Sequence, residues 1–271
     1  MAGAVDEKAL FERFSKRYKL AGSELLKQIE RSNCGCDYGS TSFTTLDQVK
    51  NLGSMLSLGP KQQLLEVGAG SGWPGLYLAQ ESGCDLTLID LPIEGLQLAK
   101  QRAILEQLPG SIRMVVASGA ALPFRAGMFD AISHADVLCC LVEKLSVLKS
   151  CREVVSADGK MVFSVILTSP GLSPADYRRA VACGPSFVAT PADYPDLIDE
   201  SGWKLVEQCD LSASFLDTLK LMRGNELRHA DALEDLLGRE ETIRRLTRNE
   251  SSIYGIEQGL IRRAIFLAVP A

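Results

Sequence analysis

Leu64-Leu-Glu-Val-Gly-Ala-Gly-Ser-Gly-Trp-Pro-Gly75 decides how this chain reads. A short apolar strand runs into glycines at 68, 70 and 72, and a helix is expected over 74–82. Glycine lets the backbone turn tightly and approach a ligand that a side chain would hold off. The helix start that follows presents free N–H groups suited to an anionic group. The stretch also contains Gly70-x-Gly72-x-x-Gly75, with Asp90 twenty residues after Gly70. Taken alone, that is the dinucleotide fingerprint, in which the acid accepts hydrogen bonds from ribose hydroxyls.

Outward from this turn, short apolar runs alternate with helical stretches. The runs are 64–67, Leu86 to Ile89, Ile112 to Val116, Phe129 to Ser133 and Met161 to Leu167; helices are expected near 93–107 and 141–156. Such alternation predicts an α/β, doubly wound, Rossmann-like fold, its sheet mostly parallel with helices on both faces. Trp203 to Leu211 and Ile261 to Val269 read as two closing strands.

Before the core, Phe11, Phe14, Tyr18, Ala21, Leu25 and Ile29 recur at helical steps, which predicts one helix over 5–31. A turn-rich loop follows over 32–42, then a helix from Thr45 to Leu58 closed by Gly59-Pro60. The expected division is an N-terminal helical lid segment, 1–60, and a core, 61–271, with insertions at 169–198 and 213–258. The first insertion is rich in Pro and Gly and follows the carboxyl end of a strand, where such folds place their ligand crevice. It is a candidate substrate wall. The second is charged and helical, either a further wall or a surface for a homo-oligomer.

Of 271 residues, 46% are apolar and 23% charged, enough to bury a core and too apolar for a disordered chain. The 29 basic and 34 acidic side chains give a net charge of −5 with no basic block, which argues against a nucleic-acid partner. The pair Arg262-Arg263 reads as a solvated strand edge. The first ten residues lack the apolar segment of a secretory signal, and no apolar run reaches bilayer length. A cytoplasmic protein that does not engage membranes is expected. Cysteines at 34, 36, 84, 139, 140, 151, 183 and 209 form no CxxC pair, and the chain has two histidines. No metal site is expected; the thiols read as reduced, small apolar side chains.

Three further features accompany the glycine turn. Glu66 stands two residues before the first glycine. Ala117-Ser-Gly-Ala-Ala-Leu-Pro-Phe124 follows the third strand, and Met128-Phe-Asp-Ala-Ile-Ser133 opens the fourth. With Glu66-x-Gly68-x-Gly70-x-Gly72 and Asp90, they resemble the class I S-adenosylmethionine-dependent methyltransferases that act on small molecules, from about 64 to 167. Tyr38 to Thr45 is loosely similar to the segment that precedes the core there.

The resemblance implies a seven-stranded sheet with an antiparallel last strand and S-adenosyl-L-methionine as cofactor. It places Glu66, Gly68, Ala69, Gly70 and Gly72 at the methionine end of the cofactor. Asp90 would bind the ribose hydroxyls, with Leu91 beside the adenine. Ser118, followed by Gly119 and Ala120, stands where the family often has an acid near the adenine amino group. His134, Ala135 and Asp136 would lie by the sulfonium and the acceptor, which makes His134 and Asp136 the candidate general bases. The implied reaction is in-line methyl transfer to a small molecule, resting mainly on positioning and the exclusion of water. Two other readings stay open: an NAD-dependent oxidoreductase, from the GxGxxG overlap, and a methyltransferase-like protein that binds without catalysis.

Overall fold

The computed structural model describes residues 7–39 and 42–271, so residues 5 and 6 of the expected first helix, residues 40 and 41 of the expected loop, and most of the stretch read against a secretory signal lie outside it. Strands β1 (Gln63–Val67), β2 (Asp85–Asp90), β3 (Ile112–Val116), β4 (Phe129–Ala135), β5 (Val155–Thr168), β6 (Trp203–Asp210) and β7 (Ile261–Pro270) form one sheet. Its order is β3-β2-β1-β4-β5-β7-β6, with β7 antiparallel to both neighbours and the remaining pairings parallel. This is the expected doubly wound architecture, antiparallel last strand included.

Successive side chains of a strand point to opposite faces, so each strand feeds two cores. Leu64, Leu86, Val162 and Ile265 meet α3 (Leu46–Leu56), α4 (Gly75–Ser82) and α5 (Ile93–Glu106) on one face. Leu65, Phe163 and Phe266 meet α6 (Lys144–Val154), α7 (Pro174–Cys183) and α8 (Tyr194–Glu200) on the other. All eight cysteines are free thiols and six are buried.

The helix expected over 5–31 is two helices, α1 (Glu7–Leu20) and α2 (Glu24–Cys34). Apolar spacing carries across the junction, but the chain turns at Ala21-Gly22, where Gly22 is a poor helix former. The second insertion folds as α9 (Ser212–Arg228), α10 (Ala230–Leu237) and α11 (Arg239–Glu257). Its apolar face is taken up within the chain: Leu233 of α10 packs against Leu26 and Ile29 of α2. The N-terminal helices and the second insertion therefore build one cap. No helix among the described residues is long and apolar enough to cross a membrane.

Arg262-Arg263 departs from expectation. β7 lies inside the sheet between β5 and β6, and Arg263 is fully buried.

Candidate active site

The glycine turn sits at the carboxyl end of β1. Gly68, Gly70 and Gly72 all have positive φ (66°, 53° and 100°), which L side chains rarely adopt. Space is equally restrictive: a Cβ on Gly68 would stand 2.5 Å from Val137 Cγ2, and one on Gly70 would stand 2.7 Å from the Tyr18 hydroxyl. The turn is pinned from the next strand, Ala69 N–H donating to the Ile89 carbonyl at 2.9 Å.

Asp90, at the tip of β2, accepts from Gly70 N–H on Oδ2 and from Leu91 N–H on Oδ1, both at 2.7 Å. Each oxygen keeps acceptor capacity for a further donor. Burial pushes this carboxyl up to about 6, against the pull of the two N–H donors. Leu91 beside it is exposed. Tyr18 of α1 is buried over the turn, so the N-terminal segment reaches the expected cofactor site.

Glu66 is buried beneath the turn. Ser133 donates to its Oε2, while Oε1 has no partner. Desolvation raises this carboxyl to about 8, opposed by the Ser133 hydrogen bond. Such a group is neutral at pH 7 and ionises when a cation comes within reach.

The polar row continues along the same face. Ser164 of β5 pairs in register with Ala135, and Arg263 of β7 pairs with Ile166. The Arg263 guanidinium donates to Asp136 Oδ1 at 2.9 Å, Gln48 Oε1 at 2.8 Å, Thr44 Oγ1 at 2.8 Å and Ser164 Oγ at 3.0 Å. The segment leading into α3 is thereby fastened to the sheet. Trp73 Nε1–H donates to the Thr44 carbonyl at 2.9 Å and Ser71 Oγ–H to the Tyr38 carbonyl at 2.6 Å, so this segment also grips the glycine turn.

Other expected residues fall into three groups. Gly119 approaches the end of β1, where an added Cβ would lie 2.9 Å from Val67 Cγ1; Ser118 Oγ accepts locally from Ala120 N–H at 3.2 Å. Ala135 ends β4, and Asp136 follows it with φ 56°. His134 is corrected. β4 runs two residues beyond Ser133, and alternation turns His134 to the face opposite Ser133. It is fully buried, stacked on Phe163 at 4.6 Å and 18°, with neither ring nitrogen bonded. Burial drops it to about 3, and its ring lies in the core on the face opposite Glu66, which argues against a general base here. Asp136 remains at the mouth, engaged by Arg263 on both oxygens.

Tyr18, Thr44, Gln48, Ser133, Ser164 and Arg263 were not singled out as site residues from sequence. Helical spacing marked Tyr18 as apolar-facing, and strand alternation gave Ser133 the same face as Glu66 if the two strands were known to be neighbours. Nothing local distinguished Arg263 from Arg262. No cluster of three or more His, Cys, Asp or Glu capable of holding a metal ion occurs among the described residues.

A β-α sheet of this order, with an acid beneath a glycine turn and a second acid at the tip of β2, defines the class I methyltransferase fold. Residues 65–163 match the family model described as a methyltransferase domain, and S-adenosylmethionine is the cofactor of that class. The chain is 25% identical over 182 residues to phosphoethanolamine N-methyltransferase 1 of Zea mays, covering 67% of this chain and 36% of that one. It is 24% identical over 228 residues to methyltransferase GfsG of Streptomyces halstedii, covering 78% and 81%. In three dimensions it resembles phosphoethanolamine N-methyltransferase 2 of Haemonchus contortus with S-adenosylhomocysteine bound, at a TM-score of 0.79 and 16% identity, covering 98% of this chain and 60% of that one. The chain thus spans about a third of the maize protein's length.

Proposed function

We propose that this chain transfers a methyl group from S-adenosylmethionine to a small-molecule acceptor. One observation carries the reading furthest: Glu66, buried, with Oε1 unpartnered beneath a turn that admits no Cβ. A buried acid in that place suits a ligand bearing an ammonium group. An ammonium group within reach would favour its ionised form, whereas a pyrophosphate would not, and this favours the methyltransferase reading over the oxidoreductase one.

The residues fit the cofactor as follows. Glu66 with the 68–72 turn, including Ala69, would hold the methionine end. Asp90 would take the ribose hydroxyls, flanked by Leu91, and Ser118 to Ala120 would border the base. Ala135 would lie by the methyl group. When bound, S-adenosylmethionine supplies an activated methyl whose leaving group departs neutral. The protein's own part is to orient and to exclude water. α1 covers the turn through Tyr18, and Arg263 holds Asp136 at the mouth of β4. With His134 in the core, Asp136 acts as an anchor for the mouth, and positioning does the catalytic work. The free thiols accord with a reducing, cytoplasmic setting.

The test is ligand-induced stabilisation. S-adenosylhomocysteine at a hundredfold over its Kd should stabilise the protein by about 2.7 kcal/mol, and mass spectrometry of the purified protein should find the cofactor or its product. Stabilisation by NADH in place of S-adenosylhomocysteine would overturn the assignment.

A further inference from the structure

A cavity of about 430 Å³ lies among α4, α5 and the segment ahead of α3, lined in part by Tyr38, Leu46, Trp73, Tyr77, Arg102 and Glu106. Its size suits a small molecule. Glu66, Gly68, Gly70, Asp90 and Asp136 are not among its lining residues, so it is separate from the site built above. The two places are nevertheless joined. Trp73 follows Gly72 directly, and the Tyr38 carbonyl accepts from Ser71 of the glycine turn.

Aromatic rings make the wall. Trp73 stands 5.1 Å from Tyr38 at 44° and 5.7 Å from Tyr77 at 57°, and Leu46 adds apolar surface. The wall already holds one cation: the Arg102 guanidinium lies 3.8 Å from the centre of the Tyr38 ring. Ring faces attract positive charge. Ion pairing adds to this. Arg31 pairs with Glu24 at 2.7 Å and with Asp37 at 3.1 Å, and Arg102 pairs with Asp37 and, at 3.5 Å, with Glu106. In this alternating row three acids meet two guanidiniums, which leaves one negative charge in excess. The row ends at the cavity on Glu106. Asp37 is shared between two guanidiniums, whereas Glu106 has one long pair and keeps acceptor capacity for a further donor.

We propose that this cavity binds a small organic ammonium with an apolar body, at a site distinct from that of the cofactor. The apolar part lies on Trp73 and Tyr77, and the ammonium group donates to Glu106. Tyr77 and Glu106 are the residues that set specificity, one for the body and one for the charge.

The probe is phenethylamine, a cation at neutral pH, against 3-phenylpropionate, an anion of similar shape. Calorimetry on the full chain should show one phenethylamine site with a Kd of about 1 mM or below. Glu106→Gln and Tyr77→Leu should each weaken it by about fivefold, the worth of a lost ion-pair or ring contact. Glu106→Gln should melt close to wild type, since Glu106 stands at the exposed rim. In the nitrogen–proton NMR spectrum the Trp73 indole signal should move, while that of Trp203, in the core on the opposite face of the sheet, should stay. Retained affinity in either variant, or a Trp73 signal that does not move, would overturn the site. Binding of 3-phenylpropionate as tight as that of phenethylamine would overturn the ligand class. The titration is repeated with saturating S-adenosylhomocysteine, and both ligands should bind together. Displacement of phenethylamine would put it in the cofactor site and overturn the proposal. If S-adenosylhomocysteine fails to bind while phenethylamine still does, the methyltransferase reading falls and this site stands.

Discussion

Arg263 holds Asp136 by both carboxylate oxygens, Nε donating to Oδ1 at 2.9 Å and Nη2 pairing with Oδ2 at 2.9 Å, although 127 residues separate them. The pair fixes a residue with φ 56° at the end of β4, where a non-glycine residue needs support from its surroundings. Removing one partner of a buried ion pair costs about 3–5 kcal/mol, because the other is left uncompensated. Arg263→Met should therefore lower stability to urea by that order. Arg263→Lys should recover little, since an ammonium cannot reach Asp136, Thr44, Gln48 and Ser164 as the planar fork does. Wild-type stability in the lysine variant would show that charge alone suffices.

Asp90→Ala should weaken S-adenosylhomocysteine by about 1.5–3 kcal/mol, the usual worth of hydrogen bonds to a charged group. The fold should persist, since Asp90 ends its strand. An unchanged Kd by calorimetry would remove Asp90 from the site.

Glu66 gives a pH signature. Its carboxyl is raised to about 8, above the unfolded value near 4.5. The native state therefore binds the extra proton, and stability from this group is full below about pH 4.5 and lost as pH rises towards 8, at up to roughly 1.4 kcal/mol per unit. Glu66→Gln, which cannot ionise, should gain stability relative to wild type between pH 5 and 8, while binding S-adenosylhomocysteine more weakly. Parallel melting curves for the two proteins across that range would contradict the burial argument.

His134 titrates with the opposite sign. Its imidazole is lowered to about 3, so its contribution is full above pH 6.5 and lost as pH falls towards 3. His134→Leu should be within about 1 kcal/mol of wild type at pH 7, because neither ring nitrogen loses a bond. At pH 5 it should be the more stable of the two, with turnover per folded molecule preserved at pH 7. A hundredfold loss of turnover in a well-folded variant would restore the base that the core position denies.

Most strands were legible because they are runs of apolar residues bounded by turn formers, and β3 has the bounds expected of it, whereas β5 begins at Val155, six polar-rich residues before its apolar run. The glycine turn, Glu66 and Asp90 were legible because their spacing is local. Three failures have separate physical causes. His134 was misplaced because β4 runs on to Ala135, and two further residues decide which face a side chain joins. Helices α1 and α2 were merged because apolar periodicity does not register a turn that preserves it. Arg263 was read as exposed because a sequence shows that a strand exists and not which strands flank it. Only three-dimensional packing put Tyr18 of the N-terminal segment on Gly70.

The bond from Arg263 to Thr44 joins residues 219 apart, on the last strand of the sheet and ahead of the first. Closing a loop of that length is costly before any contact rewards it, and such non-local pairings slow folding. During synthesis the glycine turn, Asp90 and the β4 mouth all leave the ribosome well before β7 does. Until Arg263 arrives, Asp136, Ser164 and Thr44 lack the cation that ties them together. The tie across the mouth of β4 therefore forms only once β7 is made, however early the glycine turn and Asp90 are in place.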